Sequence, residues 1–147
     1  MFRRLLAGLA LLACLLTVAS VANARSGVGT GKFTGSTEGD FDLSFTVAKK
    51  GKSIVKFKTA VVTYCRGGLG NSGPTVKGVS LPRIKVEGNG GFDQTFRSAT
   101  DETETAIRVS GKIAGSRLKS GKLTYELTGD GTECVTDGPQ ALSAKRK

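Results

Sequence analysis

The stretch Ser53-Ile54-Val55-Lys56-Phe57-Lys58-Thr59-Ala60-Val61-Val62-Thr63-Tyr64-Cys65 is the longest β-like run in the chain, and it ends on a cysteine. Side chains of an extended strand alternate between two faces. Val55, Phe57, Thr59, Val61, Thr63 and Cys65 share one face, which is β-branched or aromatic almost throughout and suits a core. Ile54, Lys56, Lys58, Ala60, Val62 and Tyr64 share the other, which begins wet at two lysines and turns apolar at its end. A strand wetted on one face at its start and covered on both at its end belongs inside a packed sheet.

The flanking sequence reads the same way. Phe41, Leu43, Phe45 and Val47 alternate with Asp42, Ser44 and Thr46. Ala48 to Lys52 reads as a hairpin turn with Gly51 available for positive φ, so this strand pairs back against the opening stretch. Upstream, Gly31-Lys32-Phe33-Thr34-Gly35 starts a short strand. Downstream, Arg66 to Pro74 (R-G-G-L-G-N-S-G-P) reads as a flexible loop. Thr75 to Val86 carries Val76, Val79, Leu81, Ile84 and Val86 around Pro82. A proline lacks the ladder donor, so this segment is an edge strand or two short pieces.

Gly88 to Gly91 turns, and Phe92 to Phe96 is a short strand. Asp101-Glu102-Thr103-Glu104 is acidic; it lacks the spaced ligands and turn glycine of a calcium loop and reads as a solvated turn. Thr105, Ile107, Val109, Gly111 and Ile113 alternate with Arg108, Ser110 and Lys112. Gly115 to Gly121 reads as a turn around Leu118, and Leu123, Tyr125 and Leu127 mark the next strand. Gly129-Asp130-Gly131 turns, and Gln140 to Ala144 is a last strand before the basic tail Lys145-Arg146-Lys147. About eight strands, with no helical period, predict an all-β fold: an antiparallel β-sandwich or small barrel. One echo stands out. Gly39-x-Phe41-Asp42-x-Ser44-Phe45 matches Gly90-x-Phe92-Asp93-x-Thr95-Phe96, as an internal duplication or as two hairpin first strands.

The first residues read as an address. Met1-Phe2-Arg3-Arg4 is a positive start, Leu5 to Ala22 is almost wholly apolar, and Ala22-Asn23-Ala24 is a small-x-small cleavage site. The expectation is a signal peptide over residues 1–24, a flexible leader over 25–31, and a single β-sandwich domain over 32–147. A retained anchor, or lipidation at Cys14, are the alternatives. Cleavage leaves Cys65 and Cys134 in an oxidising space outside the cell, where one disulfide between them is the default.

The chemistry present is narrow. The chain has no histidine and no tryptophan, so the usual general base, metal ligand and sugar-stacking platform are missing. It has no phosphate loop, no G-x-S-x-G and too few Cys/His for zinc, so neither cofactor nor metal is expected. An enzyme would need a surface carboxylate pair, such as Asp42 with Asp93. The net charge is +10, or +8 without Arg3 and Arg4, a surplus that attracts anionic partners.

Taken in order, G-K-F-T-G, F-D-L-S-F-T-V, a long strand ending Y-C, a Gly-rich loop, G-G-F-D-Q-T-F, V-S-G-K-I-A-G, G-K-L-T-Y-E-L and E-C-V-T-D-G resemble a group of small secreted all-β proteins of Actinobacteria-like bacteria. That group shares a strand-terminal cysteine, a second cysteine before the final strand, and a basic end like Ala144-Lys145-Arg146. It commonly has a tryptophan in the last strand, where this chain has Gln140-Ala141-Leu142. The resemblance spans nearly all of Phe33 to Arg146 and implies no activity, so it transfers no catalytic residue.

The resulting expectation is a secreted, non-enzymatic protein that binds an anionic polymer or cell-envelope component, with no specific nucleic-acid binding and no membrane span after cleavage. The alternative is a protein-interaction or protease-inhibitor module. Its binding loop would present Arg66, Leu69 and Asn71.

Overall fold

A computed structural model describes residues 27–68 and 72–147. The expected signal peptide with Cys14, the first part of the leader, and Leu69 and Asn71 lie outside the described residues. Ten strands follow in chain order: β1 (Gly31–Thr37), β2 (Asp42–Val47), β3 (Ser53–Gly67), β4 (Ser72–Leu81), β5 (Ile84–Lys85), β6 (Gly91–Ala99), β7 (Thr103–Ala114), β8 (Arg117–Gly129), β9 (Thr132–Val135) and β10 (Gln140–Arg146). Their ladders are antiparallel and run β10-β1-β2-β3-β9-β8, and β8 pairs again with β10. That last ladder closes a barrel of six strands with four strands outside the wall. The outer strands are β4 and β5 on the free edge of β3, and β7 then β6 on the free edge of β8.

The fold is therefore all-β and antiparallel, and of the two expected architectures it is the closed barrel. The strand count rises from about eight to ten for two reasons. Pro82 divides Thr75–Val86 into β4 and β5, both pairing with β3, and Thr132–Val135 forms a strand of its own. Asp130 (φ 49°) and Gly131 (φ 69°) make the two-residue turn into that strand, with the positive φ pair a tight hairpin demands. Two expected loops are shorter than their composition implied. Gly115–Gly121 is mostly strand: the turn is only Gly115 (φ 57°) and Ser116, β8 starts at Arg117, Leu118 is buried, and a bulge follows at Ser120 (φ 50°). Arg66 and Gly67 belong to β3, and Ser72 to Pro74 belong to β4.

Strict alternation also fails at one place in the opening stretch. Ser44 pairs with Lys58 and Thr46 with Val55, so β3 uses three steps where β2 uses two. The extra residue is a β-bulge, and Lys56 sits in it at φ 55°. The bulge resets the faces. Phe57, Val61 and Thr63 point inward as expected, but below the bulge Ile54 is fully buried rather than outward. Nor is the upper end covered on both faces, for Tyr64 is 43% exposed.

Three phenylalanines from adjacent strands form the spine of the core. Phe33 and Phe45 are cross-strand partners stacked at 5.0 Å, and Phe45 and Phe57 stack at 6.0 Å. Such pairs contribute about 0.5–1.5 kcal/mol each beyond the area they bury. Val79, Leu81, Ile84, Phe92, Val109 and Ile113 from the outer strands complete the same core, which is why those strands fold down on the barrel. The repeated Gly-x-Phe-Asp segments end in different places: β2 lies in the barrel wall, β6 at its outermost edge. Cys65 on β3 stands directly opposite Cys134 on β9, and their disulfide (S–S 2.04 Å) fixes this part of the closure. By the chain-entropy argument its 69-residue separation contributes about 4 kcal/mol.

One end of the barrel is shut by the segment before β1. Val28 bridges Gly115 and packs on the core. A Cβ on Gly29 would lie 1.8 Å from the Gly115 carbonyl oxygen, so only glycine permits this approach.

Phe45 is the middle ring of the stack and 2% exposed. Phe45→Ala should lower the unfolding free energy by about 3–5 kcal/mol in urea titration. A cost below about 1 kcal/mol would show that the stack does not organise the core.

Candidate anion-binding face

Antiparallel pairing sorts the turns to two ends. β1, β3, β6 and β8 run one way, and the other strands return. The end reached by the β1–β2, β6–β7 and β8–β9 turns carries Glu38, Asp40, Asp101, Glu102, Asp130 and Glu133, with Arg66 opposite Glu133 as a basic residue among them. The opposite end, shut by Val28, carries Lys32, Lys50, Lys52, Arg117, Arg146 and Lys147, with Glu87 as the acidic residue among them. Lysines that are scattered in the sequence are thus gathered in space.

Above that basic end, one row of outward side chains crosses five strands. Its register is Arg117 (β8) to Lys145 (β10), Lys145 to Thr34 (β1), Thr34 to Ser44 (β2), and Ser44 to Lys58 (β3). Directly paired residues share a face, so these five lie side by side. The three basic residues are exposed, and the two hydroxyl residues are half-buried between them. No carboxylate stands in the row. Next to it, Lys32 pairs with Thr46, and the bulge sets Lys56 beside Lys58. Lys32, Ser44, Thr46, Lys56 and Lys58 line a hollow of about 520 Å³ over the backbone of Phe45. At the other end of the row, Lys112 (β7) lies directly opposite Lys119 (β8), a pairing of like charges that disfavours the fold slightly.

The charges that are neutralised lie elsewhere. Among the described residues there are two ion pairs, Arg97–Glu104 (3.0 Å) and Arg108–Asp93, both between β6 and β7. Arg108 grips Asp93 with two hydrogen bonds, Nε to Oδ1 at 2.8 Å and Nη2 to Oδ2 at 2.5 Å. Those bonds hold the Asp93 carboxyl below its ordinary range and raise Arg108 above its own.

The residues singled out in the sequence are scattered over the fold. Cys65 and Cys134 meet in the disulfide. Arg66 lies within β3, paired in register with Glu133, and is not carried on the loop beyond it. Leu69 and Asn71 lie outside the described residues. Asp42 and Asp93 stand on β2 and β6, which are not neighbours in the sheet, and Asp93 is taken by Arg108. Thr103 and Glu104, read as part of an acidic turn, belong to β7, where Glu104 pairs with Arg97; among the described residues no three Cys, Asp or Glu side chains converge as metal ligands. The row itself escaped the sequence reading, although Lys56 and Lys58 were visible as a wet start to β3. The missing signal was register, which the bulge shifts by one residue. Searches against protein families, curated proteins and solved structures find no match to this chain.

A lysine at φ 55° is held where a Cβ is disfavoured by about 1–2 kcal/mol. Lys56→Gly should therefore stabilise the fold by up to about 1 kcal/mol, read as a higher thermal midpoint. A clear destabilisation would mean that the lysine stem, and not its charge, justifies the residue.

Proposed function

We propose that this is a secreted, non-catalytic barrel protein that holds an anionic partner at or outside the cell envelope through the basic face of β3, β2, β1, β10 and β8. One observation carries the reading: a register-aligned row of cations and hydroxyls, with a three-lysine hollow beside it and no carboxylate within it. Exposed ammonium and guanidinium groups in such an array attract anions without needing a catalytic group. The address rests on the apolar leader and its small-x-small site. The Cys65–Cys134 disulfide is compatible with an oxidising compartment. Among the described residues no helix is long and apolar enough to cross a membrane. Kinship with the small secreted β-proteins of Actinobacteria-like bacteria belongs to the same proposal and rests on the shared motifs.

The test is salt. Neutralising about five cations on a linear polyanion should make affinity for long-chain polyphosphate fall about a hundredfold between about 50 and 200 mM salt. Lys58→Gln should reduce the log–log slope by about one. Salt-independent binding, or none, would remove the charge argument.

A second reading is favoured by a separate observation. Tyr64 (43% exposed) and Val76 (56% exposed) are large apolar side chains presented beside the ends of the 66–74 segment, with Tyr64 opposite Pro74 and Val62 opposite Val76. On this reading the segment and its apolar flank contact another protein, such as a protease. Replacing only residues 68–71, between β3 and β4, with a short Gly-Ser turn should then abolish protease inhibition while the fold survives. Inhibition that persists would exclude the loop as its source.

A further inference from the structure

The proposed anionic partner has, by the geometry of the row, a shape as well as a charge. We infer that the basic face is a track for a linear polyanion, which lies across the strands from the lysine hollow on β3 to Arg117 on β8. This deepens the proposed function and rests on it.

Three observations give the track a direction. The cations are in register perpendicular to the strands, not clustered around a point: Lys58, then Ser44 and Thr34, then Lys145 and Arg117. Strands are spaced about 4.8 Å apart, so four spacings make the row about 19 Å of contour around the convex wall, across five of the six barrel strands, and a ligand on it must be flexible enough to follow that curve. A single compact anion in the hollow could reach Lys32, Lys56 and Lys58, but not Lys145 or Arg117. The gap between the two cationic ends is also built for a chain. Thr34 and Ser44 are half-buried hydroxyls that can donate to anionic oxygens passing over them. The carboxylates on the outward faces of these strands stand off the row: Asp42 lies opposite Ser36, and Glu126 lies opposite Ala106. Beyond Arg117, Lys119 and Lys112 keep the same sign on the same side. Their unrelieved repulsion is what a bound anion would remove.

The row also says what the chain's repeating unit lacks. No aromatic side chain stands among Lys58, Ser44, Thr34, Lys145 and Arg117, so there is no platform on which a nucleobase could stack. The ligand class is therefore a linear polyanion held through its charges and not through stacked bases, a polyphosphate-type chain or an acidic polysaccharide rather than a single-stranded nucleic acid.

The experiment measures affinity by calorimetry for pyrophosphate, for oligophosphates of increasing length, and for oligogalacturonates of matched length. It uses the disulfide-intact protein, Lys58→Gln, and the far-end double variant Lys145→Gln/Arg117→Gln. Affinity should rise with chain length until the ligand spans about 19 Å and then level off. Lys58→Gln should weaken every ligand severalfold. The far-end variant should leave pyrophosphate within about twofold and weaken the long oligomers about tenfold. The oligophosphate and oligogalacturonate arms identify which backbone charge is preferred, and saturable length dependence in either supports the track. Two results would overturn it while leaving anion binding intact: long oligomers insensitive to the far-end variant, or a single-stranded DNA oligomer bound more tightly than an oligophosphate of equal charge. Loss of all binding by the unsubstituted protein would overturn the anion-binding reading itself.

Discussion

Between Ser44 and Thr46, strand β3 takes one step more than its neighbour, and most of the molecule follows from that step. Ile54 and Phe57 have opposite parity, so no regular strand could bury both. The bulge lets Ile54 and Phe57 reach 0% and 1% exposure on the same core. It also brings Phe57 onto Phe45, which continues the stack from Phe33. The residue expelled by the bulge is Lys56, and it is expelled onto the face where Lys58 and Lys32 already stand. Core and basic face are thus two consequences of one register shift. The left-handed backbone at Lys56 is tolerated because the packing of Ile54 and Phe57 determines it from both sides.

Closure is the second constraint. A barrel of six strands has no free edge of its own, yet β3 and β8 are long enough to pair outside it as well. Each therefore carries a flap, and the inward residues of those flaps join the same core. The flaps leave β4 and β6 as open edges. β4 carries Pro74 and Lys77, and β6 carries the charged pairs Asp93–Arg108 and Arg97–Glu104. Prolines and charges at an edge discourage a further strand from adding there. The arginines that serve this role are those already neutralised; among the described residues, Lys58, Lys145 and Arg117 of the row take part in no ion pair.

Alternation made the strand class legible, because period-two burial in β2, β3, β7 and β8 is a local property of sequence. Pro82 announced the break between β4 and β5, and Gly129-Asp130-Gly131 announced its turn. What escaped was non-local or one residue wide. Glycine and serine made 115–121 look like a turn, whereas the bulge at Ser120 needs only one irregular residue and Leu118 finds the core. Arg66 looked like loop because glycines follow it, but β9 pairs with it across a separation that no local pattern encodes. Sandwich and barrel could not be told apart, since they differ in one ladder, between β8 and β10. The basic face was invisible for the same reason: its members come from residues 34 to 145, and only the ladders align them.

That alignment changes what the surplus charge means. Two exposed charges at cross-strand distance interact by only about 1 kcal/mol in water, and salt screens them beyond about 8 Å. A surplus spread evenly would therefore be a matter of solubility. Here antiparallel return does the sorting: each strand carries the chain from the basic end to the acidic end or back, so residues near alternate turns collect at one end. Glu38, Asp101 and Asp130 collect at one, Lys32, Arg117 and Arg146 at the other. The resulting field has a direction, and it would turn the barrel so that an approaching anion meets β1, β10 and β8 before the acidic rim. Short range then takes over from steering, because only the row has the spacing to let several weak contacts form at once. A flexible chain of charges can make all of them by following the curve of the wall, while a compact anion can satisfy only the hollow.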